Sequence, residues 1–146
     1  MALGDRRTEA LCLMNLGSSR YHQQNYHESL DLLEAALRIF KSIGDQYNEA
    51  IVLSDLGNTY AALNETAKAF GCYKRSLKKA RAGGDTRTEG SCLFNFSLAV
   101  YAQGKTDEAL IAAEQAWTLL QALEDRHAEA VRRQIETWRA EVDRSQ

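Results

Sequence analysis

The 146-residue sequence has no proline, and aromatic residues make up only 8% of it. Without proline nothing marks a rigid turn, and the nine glycines are mostly isolated, so no flexible linker or second domain can be drawn. Cysteine is scarce: Cys12, Cys72 and Cys92 are odd in number and share no Cys-x-x-Cys spacing. They read as reduced thiols packed within apolar helical patterns, as in a cytoplasmic protein. Neither sign of charge dominates, since 18 basic side chains stand against 20 acidic ones for a formal net charge of −2. No broad positive field exists to attract nucleic acid or an anionic membrane. No apolar run reaches the roughly eighteen residues of a membrane span, and the start "MALGDRRTEA" has no signal-peptide core.

What is present is repetition. In blocks of forty the chain reads "GDRRTEALCLMNLGSSRY", "GDQYNEAIVLSDLGNTYA", "GDTRTEGSCLFNFSLAVY" and "EDRHAEAVRRQIETWRAE". Asp5, Asp45, Asp85 and Asp125 fall in register, as do Glu9, Glu49, Glu89 and Glu129. A fixed period of this size marks a stacked helical repeat. Each block splits into two helices. Asp45 is placed to cap a helix reaching about Leu63, with Gly44 in the left-handed turn before it. Thr66 is the candidate cap of the next helix. The spacing of Ile51, Leu53, Leu56, Tyr60 and Leu63 is helical, as is that of Ala69, Phe70, Tyr73, Leu77 and Ala80. Gly-Asp is read as the hinge between repeats, at Gly4 as at Gly44 and Gly84.

Small residues share register positions: Gly17, Gly57 and Ser97; Ser29, Ala69 and Ala109; Ala36, Ser76 and Ala116. Larger ones would hold the helices apart there. Leu13, Leu53 and Leu93, then Leu16, Leu56 and Phe96, then Leu37, Leu77 and Trp117 are the complementary large positions.

This arrangement resembles the tetratricopeptide repeat (TPR), whose pattern is matched by Leu53, Leu56, Gly57, Tyr60, Ala69, Tyr73 and, with a substitution, Ser76. The resemblance covers nearly the whole chain. The forty-residue period, the Gly-Asp junctions and "LGN" at Leu56 to Asn58 are similar to the long repeats of Partner-of-Inscuteable-type adaptors and related bacterial TPR proteins. The fold implied is an all-α, right-handed α-solenoid of three helical hairpins plus a C-terminal capping helix. As one domain, 1–146, it has repeats at about 5–43, 45–83 and 85–123 and a cap at about 126–143.

Catalytic constellations are not evident. His22 and His27 fall on different helices with no third ligand fixed by spacing, and His127 is far off, so neither a metal nor a cofactor is implied. The acids at Glu9, Glu49, Glu89 and Glu129 suit the first turn of a helix and surface duty. The basic run Lys74, Arg75, Lys78, Lys79 and Arg81 reads as a solvated face.

In TPR proteins the first helix of each repeat lines a concave groove, and the resemblance carries that role onto this chain. From the first block it implies Met14, Asn15, Ser18, Tyr21 and His22. The second supplies Ser54, Asp55 and Asn58, and the third Phe94, Asn95, Leu98 and Tyr101. Asn15, Asp55 and Asn95 share one register position and suit the main-chain amides of an extended peptide; the other reading is that they bond only water or neighbouring repeats. The positions of a chaperone-type carboxylate clamp are Met14, Ser18, Asp55, Ser91 and Asn95, without a cation, which disfavours an acidic ligand. Phe94, Leu98 and Tyr101 are candidates for an apolar floor, or else are covered by the last helix. In that helix Val131, Ile135, Trp138 and Val142 form one stripe, read as a solubilising cap, with docking of a partner or second copy as the alternative.

The function expected is a non-catalytic protein-interaction module, a scaffold or adaptor, binding an extended or helical peptide that is apolar rather than acidic. Two alternatives stand: a self-associating structural repeat, homodimeric through its ends, and a regulatory or recruitment module of a larger signalling protein or enzyme.

Overall fold

A computed structural model describes residues 3–146. Among them the chain is all-α, with seven helices: α1 (Leu3–His22), α2 (Tyr26–Ile43), α3 (Gln46–Ala62), α4 (Thr66–Ala82), α5 (Thr86–Ala102), α6 (Thr106–Ala122) and α7 (Ala128–Arg144). They group into two compact units, one ending at Gly83 and the other spanning Gly84–Gln146. In the first, α1 pairs with α2 and α3 with α4, and α2 packs on α3. In the second, α5 pairs with α6, which carries α7.

The turns follow one rule every twenty residues. Gln24, Gly44, Asn64, Gly84, Gly104 and Glu124 all have positive φ, between 53° and 81°. After five of them the next residue donates its N–H to a carbonyl in the preceding helix: Asn25 to Arg20, Asp45 to Phe40, Glu65 to Tyr60, Lys105 to Val100 and Asp125 to Leu120. These bonds satisfy carbonyls that a helix end leaves free. The Gly-Asp junction is therefore one form of a more general turn. At Gly4 the hinge reading fails, because Gly4 and Asp5 lie inside α1. Asp45 and Asp85 do cap α3 and α5, accepting the N–H of Asn48 at 3.1 Å and of Thr88 at 3.2 Å. Thr66 is not a cap. Asn64 takes the left-handed turn one residue earlier than a Thr66 cap requires, so Glu65 stands at the cap position without a side-chain bond.

The small register positions are all buried. A Cβ on Gly57 would stand 2.5 Å from the Tyr73 ring, and one on Gly17 would stand 2.8 Å from Leu33. Buried hydroxyls at these positions are satisfied: Ser29 donates to the Gly17 carbonyl at 2.7 Å and Ser76 to that of Ala50 at 2.6 Å. Helices approach closely there without leaving a polar atom stranded.

Three expectations about exposure need correction. Leu16, read as a large interlocking residue, is 42% exposed, whereas its register mate Leu56 is 2% exposed. Cys12 is exposed as well, while Cys72 and Cys92 are buried; all three thiols are free. The cause is common: α3 is packed by both α2 and α4, whereas α1 has its main partner in α2. Glu49 is not a surface acid. It is buried in an ion pair, 2.9 Å from Lys79 Nζ, although its Oε2 accepts no aligned hydrogen bond.

Candidate functional site

The residues implied as a groove divide by their surroundings. Met14 belongs to the apolar cluster with Leu33, Leu37, Phe40, Leu53 and Leu56, and Ser54 is also buried, so neither offers a free surface. The turn of α1 that reaches His22 places the rest of its set on one side. Ser18, Tyr21 and His22 of α1 meet Asp55, Asn58 and Thr59 of α3 around a niche of about 70 Å³, floored by Leu33 of α2. Asn15 lies one helical turn before Ser18 and is exposed.

Within the niche most groups are held in place. Tyr73 of α4 donates its hydroxyl to Asn58 Oδ1 at 2.7 Å, fixing that amide from behind. Thr59 donates to the Asp55 carbonyl at 2.9 Å, and its hydroxyl lies 3.4 Å from that of Ser29. The Tyr21 ring meets His22 edge-on at 5.4 Å and Tyr26 at 5.5 Å. The Asp55 carboxyl is different. It is half-buried in the niche, and burial pushes its pKa up to about 7. The Tyr21 hydroxyl is also raised, by burial first and then by Tyr26 and Asp55.

In the second unit, Tyr101 is stacked on Trp138 at 4.6 Å and bonds the Glu141 carboxylate. It is a packing residue beneath α7. Val131, Ile135 and Trp138 are buried, so the stripe of that helix is covered within its own unit and Trp138 is not free to anchor a partner. Phe94 and Asn95 are half-buried and Leu98 is 39% exposed, leaving Leu98 as the accessible apolar residue of the implied floor. Between α6 and α7 a cleft of about 340 Å³ is lined by Trp117, Thr118 and Ile135 and edged by the Arg139–Glu114 ion pair.

The basic run of α4 forms a shallow cleft of about 400 Å³ with Lys41 and Gln46, lined by Arg75, Lys78 and Lys79; Lys79 is already engaged by Glu49. Among the described residues no three metal-ligating side chains come together, and no helix is long and apolar enough to cross a membrane.

Sequence reasoning missed Thr59 and Tyr73 as parts of the site. Tyr73 is read from the sequence as framework and Thr59 is given no role there; the structure sets Thr59 in the niche lining and the Tyr73 hydroxyl behind Asn58. The signal for Tyr73 was present in Gly57: sixteen residues apart in sequence, the pair meets face to face.

Paired helices with small residues at their crossings, built on recurring turns, define a helical-repeat protein. The chain belongs to the tetratricopeptide repeat family, whose model matches residues 9–82, just over half of the sequence. Repeats of this family generally mediate protein–protein interaction and are typically non-catalytic binding scaffolds. No curated protein matches the chain. Among solved structures it is similar to BtubC (BKLC) from P. vanneervenii, with a TM-score of 0.67 and 16% sequence identity over 92% of this chain. The chain spans 64% of the length of BtubC, and at that identity the likeness concerns the fold.

Proposed function

We propose that the chain is a non-catalytic scaffold or adaptor whose first-helix faces receive an extended or helical segment of a partner protein, one that is not acidic. The observation that carries this reading is the niche between α1 and α3, where Ser18, Tyr21, Asp55 and Asn58 line an open pocket one helical turn from the exposed Asn15. Asn15 and Asn58 offer amide groups suited to a peptide main chain, and no lysine or arginine lines the niche to receive a carboxylate.

Photo-crosslinking tests the proposal. With benzoylphenylalanine at Asn15 or His22, partner proteins should be captured, and the same probe at exposed Arg38 or Lys74 should not capture them. Capture from Arg38 and Lys74 alone would contradict it.

A second reading, self-association, is favoured by one observation: Cys12 and Leu16 are exposed in α1 where Val52 and Leu56 are buried in α3. It requires a mass that rises with concentration by light scattering, abolished by Leu16→Glu.

A further inference from the structure

The niche between α1 and α3 contains a carboxyl group that nothing balances. Among the described residues Asp55 makes no ion pair, and its side chain has no hydrogen bond; the Thr59 hydroxyl donates to its main-chain carbonyl. The niche is also lined by Ser18, Tyr21 and Asn58, and by the exposed His22. Asn58 Oδ1 accepts one bond from Tyr73 and keeps a second lone pair.

We infer that this niche receives the cationic head of a lysine or arginine side chain from the partner segment, with Asp55 as its counter-ion; the inference rests on the peptide reading above.

Size, charge and geometry agree on this occupant. The opening of about 70 Å³ holds roughly two water molecules. A niche of that order suits an ammonium or guanidinium head. Neutral peptide groups entering the niche would strip the carboxylate of water without replacing its hydration, which is costly. An entering cation supplies charge-assisted hydrogen bonds. The raised pKa of Asp55 is the mark of a carboxyl that lacks such a partner.

The competing role is set by register. Asp55 aligns with Asn15 and Asn95, and a protonated carboxyl, like an amide, both donates and accepts. If Asp55 serves peptide main chain in that way, Asp55→Asn preserves binding. If it is a counter-ion, Asp55→Asn removes the preference for a basic residue.

Short random peptides displayed on phage are selected in parallel against the whole chain and against Asp55→Asn, with Asp55→Glu as the charge-preserving control. Wild-type winners should share one lysine or arginine. Its replacement by norleucine or citrulline in synthetic peptides should weaken binding at least about tenfold. Asp55→Asn should bind parent and replaced peptides alike, while Asp55→Glu retains a preference for the basic one. Winners without a shared basic residue, or a preference that survives in Asp55→Asn, overturn the cation site and leave the peptide reading standing. A failure of the wild-type chain to enrich any peptide overturns both.

Discussion

Residues 12 and 16 of α1 and residues 52 and 56 of α3 occupy the same register positions and meet opposite fates. Val52 and Leu56 are buried in the apolar cluster, whereas Cys12 and Leu16 are exposed. The chemistry of the position is nearly constant; the number of flanking helices is not. In a repeat protein the periodic sequence assigns a role, and only a neighbour on each side fulfils it. The sharpest break of this comparison is a pair of truncations. Leu56→Ala is expected to lower the free energy of unfolding by about 2 to 5 kcal/mol. Leu16→Ala should change it by less than about 0.5 kcal/mol. Equal losses in urea denaturation would show that α1 is covered in solution, by a partner or a second copy.

Two hairpins extend the comparison. In α3/α4 Gly57 leaves room for Tyr73, while the corresponding residues of α5/α6 are Ser97 and Ala113, a larger residue facing a smaller one. The second hairpin makes its close approach elsewhere, where a Cβ on Gly90 would stand 2.8 Å from Leu120. Gly57→Ala should therefore destabilise by about 1 to 3 kcal/mol, the range of an overpacked core. The loss should shrink when Tyr73→Leu is added, and a double-mutant cycle measures the coupling. Ser97→Ala, lacking such a clash, should cost less.

A pair of acids gives the next contrast. Burial raises Asp55 from its ordinary value of 3.8 to about 7, whereas Asp125 is held down to about 2 by the His127 N–H, the His127 ring and Arg87. The signs oppose each other. The Asp55 contribution is fully present below about 3.8 and is lost as pH rises through about 7; that of Asp125 is present above about 3.8 and is lost as pH falls through about 2. Asp55→Asn is thus expected to stabilise the chain at pH 8 by about 1 to 3 kcal/mol, less than the full shift implies because the niche is open to water. Thermal melts at pH 5 and pH 8 check this: a gain confined to pH 5 would contradict the assignment. The smallest effect concerns the turns. Glu124 has φ 53° where three of the other turns use Gly44, Gly84 and Gly104, so Glu124→Gly should raise stability by about 1 kcal/mol in urea denaturation.

The helical pairing was legible because spacing and small residues act locally: Asp45 caps the helix it precedes, and Gly57 marks a close crossing. The left-handed turns at Gln24 and Glu124 were hidden, since neither residue advertises that conformation and the helices on either side impose it. Of the candidate groove residues, Ser18, Tyr21, His22, Asp55 and Asn58 line one niche in the structure. Register could not show that Met14 and Ser54 turn into the core or that Tyr101 lies against Trp138, because burial depends on which neighbour arrives. Nor could it show the isolation of the Asp55 carboxyl, which needs the positions of every side chain around it.

The most direct test of the central claim is hydrogen exchange of the whole chain with and without a peptide selected on it. Binding along the first helices predicts slower exchange over residues 14–22 and 54–62 with residues 66–82 unchanged. Protection confined to α2 and α4, with α1 and α3 unaffected, would contradict it.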